Sequence, residues 1–316
     1  MAPLGNLLSN PKVTKIVHAG DYDIRSLNRD YEIEFNNVFD TSIAASLLGS
    51  KRLGLDAILK EFLNVEVSKD KRLQRSDWTN RPLSREAMAY AANDVRYLGE
   101  ARELMIERLK EKGRMEWVAE ECQRLASIRF EPRNPETGFL NVKGSKNLGS
   151  RELAILKELY EFREDDAIGK DRPPFKIVSD SVLVAIARDP DSDYGEIKGI
   201  GRWARSEMRN RLAEVIKTGR ESKPIQRTRH QGGRRPHLTH REREAANQRL
   251  KELKQWRKNH GARLEVDPSL LWPTSSLNRL SRFPEALDSE YQEGDIRKWQ
   301  FKEFGENIRS CLLELA

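Results

Sequence analysis

The chain has 316 residues and a net charge of +7, and its 34% charged against 37% hydrophobic residues are typical of a highly charged globular protein rich in helices. No apolar run approaches the roughly 18 residues of a membrane-spanning helix, and the first residues lack the basic start and apolar core of a signal peptide, so we expect a cytoplasmic protein with no membrane partner. The two cysteines, Cys122 and Cys311, stand far apart without a CxxC spacing, which gives no support for a disulfide framework or a zinc site.

The first predicted elements alternate between short strands and helices. The apolar, β-branched run from Val13 to Val17 predicts a buried parallel strand, and the segment 21–30 predicts a helix after it. A second strand running into a helix follows in NVFDTSIAASLLG. Asp21 and Asp23 come just after the end of the first strand, where phosphate-processing folds place metal ligands. This strand end is therefore a candidate site.

A helix over LDAILKEFL, a polar loop and a long helix from about Ser84 to Lys112 come next, with Ser84 as the predicted N-cap. Tyr90 and Asp94 are four residues apart and therefore lie on one face of the long helix. A phenol beside a carboxylate is either a hydrogen-bonded packing pair or part of a reactive site, and the spacing alone leaves both open. The fold class predicted for residues 1–125 is α/β.

The chain repeats itself beyond this first domain. Residues 126–149 are rich in Pro, Asn and Gly and predict a connector. LKELYEFRE at Leu156 and LKELKQWRK at Leu250 then each open a block of about 70 residues, with an amphipathic helix, an Asp-led segment and a closing helix. The blocks 150–220 and 243–316 are therefore predicted to be two small all-α domains.

The first block carries one sharper feature, in the segment EIKGIGRWARSEMRNRL. Gly199 and Gly201 flank Ile200 just before a basic helix, and such a turn can offer backbone N–H groups and a helix N-terminus to a phosphate. A plain turn between two helices is the alternative. The second block has no such glycines, so only the first is a candidate for this contact.

Most of the excess positive charge lies between Arg220 and Arg243, where eight Lys or Arg residues stand against two acidic ones. Gly-Gly, two prolines and a scarcity of large apolar residues predict a flexible linker at 221–242. It is either a solvated spacer or an arm that binds a polyanion, since clustered cations gain affinity by releasing counterions from phosphates. The candidate contacts of such an arm are Arg227, Arg229, Arg234 and Arg235.

Four segments of the first domain resemble the ribonuclease D family of 3′-to-5′ exonucleases in their order and spacing. They are HAGDYDIRSL, FDTSIAA, LQRSDWTNRPLS and YAANDVRYL. The resemblance covers nearly the whole chain, because the two repeated blocks are similar to the helicase-and-RNase-D C-terminal (HRDC) domains of that family. It implies a partial ribonuclease H-like exonuclease domain followed by two HRDC-like domains.

The resemblance also implies roles for individual residues. Asp23 matches the metal ligand of the family's second motif, and Asp94 with Tyr90 matches the third motif, so these three are the expected catalytic residues and the two aspartates the expected metal ligands. The family's two-metal hydrolysis implies Mg²⁺ or Mn²⁺ as the cofactor, two ions in the full site, and no small organic cofactor. Asp40 and Trp78 match recurring positions with structural and substrate-groove roles. The other expected nucleic-acid contacts in this domain are Lys71, Arg72 and Gln74.

The family's first motif, an Asp-x-Glu on the first strand, has no counterpart here, since residues 1–17 contain neither Asp nor Glu. Two of the four expected acidic ligands are therefore absent, and the chain looks like an N-terminally truncated member with an exposed edge on the strand from Val13 to Val17. Four carboxylates offset most of the charge of two divalent ions, and two do not. We therefore expect this chain to be inactive by itself.

Three functions remain open at this point. The first is a ribonuclease D-like 3′-to-5′ exoribonuclease that trims structured RNA, tRNA precursors included. The second is a non-catalytic protein that binds RNA or DNA through the HRDC-like domains and the basic linker. The third is a DNA 3′ exonuclease or a helicase-associated module, since HRDC domains alone do not distinguish RNA from DNA. RNA is the expected partner, and DNA is the alternative.

Overall fold

The computed structural model describes residues 2–67, 70–132, 134, 136–193, 196–227 and 238–313. The chain forms two compact units, of which the first combines Met1–Phe130 with His237–Ala316 and the second is Glu131–Pro236. The first domain and the second repeated block therefore belong to one unit, although the sequence treats them as separate domains. No helix in the described ranges is long and apolar enough to cross a membrane.

The first domain alternates strands and helices at its start and continues with helices, as the sequence predicts. Its elements are α1 (Ala2–Ser9), β1 (Lys15–Val17), α2 (Asp21–Tyr31), β2 (Val38–Asp40), α3 (Thr41–Leu48), α4 (Leu55–Leu63), α5 (Lys71–Gln74), α6 (Arg85–Arg96), α7 (Leu98–Glu111) and α8 (Met115–Ala126).

The two strands are parallel neighbours, with Val17 opposite Asp40 at their carboxyl ends. Among the described residues each strand has a strand partner on one side only, and β1 is buried at Lys15 and half-buried at Ile16 and Val17, so the exposed edge expected from the sequence stays a prediction. The Asp40 side chain is buried and caps α3 by accepting the N–H of Ser42 at 2.8 Å. Its other carboxylate oxygen accepts the N–H of Gly20 at 2.8 Å. Asp40 is thus a structural residue that ties the end of β2 to the start of α2.

The long helix predicted from Ser84 to Lys112 is instead two helices, α6 and α7, which meet at Tyr97. The Ser84 hydroxyl accepts the N–H of Ala87 at 3.1 Å, which confirms the predicted N-cap. Helix α7 is buried along one face against α3 and α4, whereas Ala87 is the buried residue of α6. The two segments therefore have different neighbours, since α6 contacts α5 instead.

The second unit is built around the long helix α9, which packs against α11 and α12. Its core includes Leu156, Leu183 and the fully buried Trp203. Phe139 and Val142, from the segment that the sequence assigns to a connector, are buried in the same core and contribute to this unit. The helices of the unit are α9 (Ser150–Gly169), α10 (Pro174–Ile177), α11 (Asp180–Arg188) and α12 (Ser206–Glu221), with 3-10 turns at Gly138–Asn141, Ser145–Asn147 and Gly201–Ala204.

The second repeated block is helical and shares one hydrophobic core with the first domain. The ring of Trp117 on α8 stacks on that of Trp299, with centroids 4.5 Å apart. The Glu120 carboxylate accepts the backbone N–H groups of Lys298 and Trp299, both at 2.9 Å, at the start of the last helix. The helices of the block are α13 (His240–Leu264), α14 (Pro268–Leu271), α15 (Thr274–Leu280), α16 (Leu287–Gln292) and α17 (Lys298–Leu313), with a 3-10 turn at Pro284–Ala286.

Candidate active site

A cavity of about 490 Å³ lies at the carboxyl end of β1 and is called the acid cavity here. Asp23 lines it from α2, and Tyr90 and Asp94 line it from α6. The three residues predicted to be catalytic therefore meet in one place, although they come from two helices far apart in the chain. Val17 and Leu98 contribute an apolar wall.

The turn between β1 and α2 places Asp23 at this cavity. Asp40 accepts the N–H groups of Ala19 at 3.1 Å and Gly20 at 2.8 Å, and Ala19 has a positive φ of 53°. A Cβ at Gly20 would lie 2.9 Å from a methyl group of Val17, closer than real Cβ atoms come. A tight turn of small residues fixed by a buried carboxylate therefore sets the direction of α2.

His18 lies at the same strand end and also lines the acid cavity. Its Nδ1 is 3.0 Å from the hydroxyl of Thr41, and that hydroxyl donates its proton to the carbonyl oxygen of Val17 at 3.1 Å. Because a hydroxyl has only one proton to donate, Nδ1 of His18 is the donor in the first contact. The ring of His18 is thus oriented by the end of β1 and the start of α3.

The environment of Asp94 changes its acidity. The loss of water contact at the cavity wall raises the pKa of the Asp94 carboxyl above its usual range, and the positive charge of protonated His18 opposes that rise. A carboxyl with a raised pKa keeps its proton to a higher pH than an ordinary Asp. A bound cation would favour the charged form and oppose the rise in the pKa.

Trp78 contacts Tyr90, with ring centroids 6.0 Å apart and an angle of 49° between the rings. The loop that carries Trp78 is held locally, because Arg81 donates to the carbonyl oxygen of Trp78 at 2.8 Å and Asp77 accepts the N–H of Thr79 at 2.9 Å. The structure thus gives Trp78 a neighbour within the protein. Its role as an RNA contact stays a prediction.

The basic segment before Trp78 has one residue in the acid cavity. Gln74 lines the cavity at the end of α5. Lys71 and Arg72 lie on the same short helix and are exposed, and Arg72 forms an ion pair with Asp70 at 3.0 Å. The structure therefore brings Gln74 to the predicted site and leaves the two cations at the surface beside it.

The candidate phosphate contacts in the second unit are the two glycines of the turn before α12. Gly199 and Gly201 both have positive φ, 94° and 58°, which a residue with a side chain rarely adopts. Ile200 between them is buried, and its N–H donates to the carbonyl oxygen of Ile197 at 3.2 Å. The two glycines thus have a clear structural reason, and phosphate binding by this turn stays a prediction.

The four arginines of the basic linker are covered unevenly by the structure. Arg227 is half-buried and donates from Nη2 to the hydroxyl of Ser145 at 2.8 Å, so its guanidinium is held on its own unit. Arg229, Arg234 and Arg235 lie outside the described residues. Their predicted contacts with nucleic acid stay predictions.

Sequence reasoning assigned no role to three polar residues of the acid cavity, His18, Asp56 and Asn93. The signal for His18 was its place directly after the first strand, one residue from the turn that leads to Asp23. Asn93 had no separate signal, because its position next to Asp94 became meaningful only with the direction of α6.

The acid cavity fits part of a divalent-metal site. Asp23 and Asp94 supply carboxylate oxygens, the ligands that Mg²⁺ and Mn²⁺ prefer. However, the described part of the chain contains no group of three or more His, Cys, Asp or Glu residues that could hold a metal ion. Asp56 also lines the cavity, but three carboxylates still offset less charge than two divalent ions carry, so the ligand set within these residues is smaller than a two-ion site requires.

Comparison with known proteins identifies the class of the chain. Residues 1–110 match the 3′-5′ exonuclease family, and residues 152–216 match the HRDC domain family. An exonuclease domain followed by an HRDC domain defines a class of nucleases, and the acid cavity lies within the exonuclease match. In both matched regions the chain is similar to proteins of the ribonuclease D family.

Ribonuclease D of Zymomonas mobilis is 31% identical over 231 residues, which cover 71% of this chain and 58% of the relative. Ribonuclease D of Acidiphilium cryptum is 34% identical over 221 residues, covering 68% of this chain and 56% of the relative. The crystal structure of Escherichia coli RNase D, an exoribonuclease involved in structured RNA processing, aligns with a TM-score of 0.68 and 20% identity, covering 99% of this chain and 82% of that one. This likeness shows a shared fold. The chain spans a little more than half the length of the curated relatives it matches.

Proposed function

We propose that this chain acts in the 3′-to-5′ exonucleolytic hydrolysis of RNA, with the acid cavity as the site of the reaction. The observation that carries the proposal is that Asp23, Tyr90 and Asp94 line one cavity at the end of β1. These are the residues on which the resemblance to the family's second and third motifs depends. Their meeting in space supports their assignment to one site.

The residues of the cavity have distinct roles in this proposal. Asp23 and Asp94 hold divalent ions, two in the complete site, and such ions, when bound, activate water and stabilise the leaving oxygen. Tyr90 orients the attacking water through its hydroxyl, and the ring of Trp78 limits the positions that Tyr90 can take. Gln74, at the edge of the cavity, is placed to contact the terminal nucleotide.

We further propose that catalysis needs the family's Asp-x-Glu motif in addition to these residues. The support is the small number of ligands in the acid cavity and the absence of Asp and Glu from residues 1–17. A fusion that places a strand carrying the family's Asp-x-Glu motif before Met1 supplies those acids. Structured RNA, with tRNA precursors among the candidates, is the proposed substrate.

The test is a cleavage assay with this fusion, Mg²⁺ and 5′-labelled single-stranded RNA. We expect stepwise shortening from a free 3′-hydroxyl end, much slower shortening of the same RNA with a blocked 3′ end, and slower cleavage of DNA of the same sequence. Cleavage at internal positions, independent of the 3′ end, would contradict an exonuclease.

A second function, binding of single-stranded nucleic acid by the second unit, is favoured by one surface feature. The ring of Phe175 on α10 is 68% exposed, and Nζ of Lys176 lies 5.7 Å from its centre. A large aromatic side chain in water beside a cation can stack on a base while the cation contacts a phosphate. This function is compatible with catalysis and would remain in a chain that does not cleave.

Phe175→Ala should weaken the binding of single-stranded RNA by roughly 10-fold, because stacking on one base contributes about 1 to 3 kcal/mol. Fluorescence anisotropy with labelled RNA measures the affinity. Phe175→Tyr, which keeps the ring, should bind like the wild type, and so should Ile168→Ala, which alters another exposed apolar residue that cannot stack. Equal affinities of Phe175→Ala and wild type would exclude this surface from the binding site.

Replacing the four linker arginines with Ala should flatten the dependence of RNA affinity on salt. Each lost phosphate contact lowers the log-log slope by about 0.7 for a single strand, so Arg229, Arg234 and Arg235 together give a change of up to about 2 units. Arg227→Ala alone should have little effect, because its guanidinium is held by Ser145. An unchanged slope in the fourfold variant would identify the linker as a solvated spacer.

A further inference from the structure

A second cavity, of about 640 Å³, adjoins the acid cavity, and Asp56 and Val67 line both. It is called the loop cavity here, because residues 49–52 of the loop between α3 and α4 line it. Lys51 and Arg52 are the cations that this loop contributes. A single-stranded RNA whose 3′ end occupies the acid cavity can therefore continue past the shared residues into the loop cavity.

The loop is held at its start. Gly49 has a φ of 100°, and a Cβ at this position would lie 2.1 Å from the carbonyl oxygen of Glu265, so only glycine fits. Ser50 donates its N–H to the carbonyl oxygen of Ala45 at 3.0 Å and its hydroxyl to Glu61 at 2.8 Å. The backbone that carries the two cations is thus positioned before any ligand binds.

The loop cations are accessible to a ligand. Lys51 is exposed, and the Arg52 side chain is 79% exposed, with Nη2 3.8 Å from an oxygen of Asp56. An ion pair this long and this exposed contributes little free energy and can give way to a phosphate. Lys60 is instead paired with Glu66 at 2.8 Å. The attraction for an anion therefore comes from the two loop cations, because Lys60 is paired with Glu66. It acts against the carboxylates of Asp56 and Glu61, which line the same cavity.

We propose that the loop cavity binds the phosphodiester backbone of single-stranded RNA immediately 5′ of the terminal nucleotide, with Lys51 and Arg52 as the phosphate contacts. The inference rests on the proposed function, because it takes the terminal nucleotide to lie in the acid cavity. The two cations act as positioning residues for the strand. They add affinity only for RNA long enough to reach from one cavity into the other.

The test compares salt titrations of the 316-residue chain and its variants with a short 5′-labelled single-stranded RNA that has either a 3′-hydroxyl or a 3′-phosphate. The double variant Lys51→Ala/Arg52→Ala should flatten the log-log slope by about 1.4 units, about 0.7 for each lost contact. Lys110→Ala/Arg124→Ala is the matched control, because both residues are exposed and line neither cavity. A labelled dinucleotide, too short to occupy both cavities fully, should lose much less affinity.

The outcomes separate the inference from the function on which it rests. If the wild type prefers the free 3′ end and the Lys51/Arg52 variant keeps its slope, the loop cavity does not bind RNA, while the proposed function stands. If the wild type shows no preference for the free 3′ end, the proposed function fails, and this inference fails with it. Equal losses for the dinucleotide and the longer RNA would place the two cations in the binding of the terminal nucleotide and would also overturn the inference.

Discussion

Arg114→Ala should lower the free energy of unfolding of the first unit by about 2 to 6 kcal/mol. The Arg114 side chain is buried and donates to the carbonyl oxygens of Leu47 and Leu264, each at 2.7 Å. These carbonyls belong to the last turns of α3 and α13, where helices leave acceptors without partners. The substitution removes the donor from a buried acceptor at Leu47 and a part-buried one at Leu264, at a cost of about 1 to 3 kcal/mol each. Urea unfolding followed by tryptophan fluorescence measures the change.

Two further variants sharpen this result. Arg124→Ala removes an exposed arginine from the neighbouring helix and should change the stability by less than about 0.5 kcal/mol. Gly49→Ala should also destabilise the unit, at the contact between the end of α3 and the end of α13. The added Cβ would clash with the carbonyl oxygen of Glu265, and the positive φ of Gly49 disfavours a residue with a side chain. If Arg114→Ala unfolds at the same urea concentration as the wild type, the second repeated block is not an integral part of the core of the first unit.

Asp94→Asn should lower cleavage by at least about 10³-fold in the fusion that carries the Asp-x-Glu strand. The amide that replaces the carboxylate has no charge to hold a divalent ion, and the several kcal/mol that such an ion contributes are lost. Asp23→Asn should act in the same direction. Tyr90→Phe should have the smaller effect expected for a group that only orients water. Initial rates with saturating 5′-labelled RNA measure all three.

The matched control for these variants is Asp21→Asn. Asp21 is on the same first turn of α2 as Asp23, but it is paired with Arg25 at 2.8 Å and does not line the acid cavity. Its substitution should leave the cleavage rate within a few-fold of the wild type. If Asp94→Asn keeps wild-type turnover, or if Asp21→Asn loses as much activity as Asp23→Asn, the assignment of the ligands is wrong.

The part of the site that the sequence predicts is the part set by local structure. The run from Val13 to Val17 gave β1, and the polar residues directly after it were placed at the strand end. The spacing of Tyr90 and Asp94 predicts that both lie on one face of a helix, and in the structure both line the same cavity. Short-range periodicity and strand ends carry this information.

The rest depended on tertiary contacts that periodicity does not contain. The break at Tyr97 separates two helices with different neighbours, and the apolar spacing alone continues across it. The packing of α8 against α17, about 180 residues further along the chain, has no signal in the sequence. The loop cavity likewise depends on the close approach of Gly49 to the carbonyl oxygen of Glu265. These two residues come from the two separate chain segments that form the first unit.

The central claim is that Asp23, Tyr90 and Asp94 form part of a metal-dependent nuclease site whose ligand set is incomplete within these 316 residues. The most direct measurement compares the 316-residue chain with the Asp-x-Glu fusion on the same 5′-labelled RNA in Mg²⁺. We expect the fusion to shorten the RNA stepwise from its 3′ end and the 316-residue chain to leave it intact. Robust Mg²⁺-dependent shortening by the 316-residue chain, abolished by EDTA, would contradict the claim.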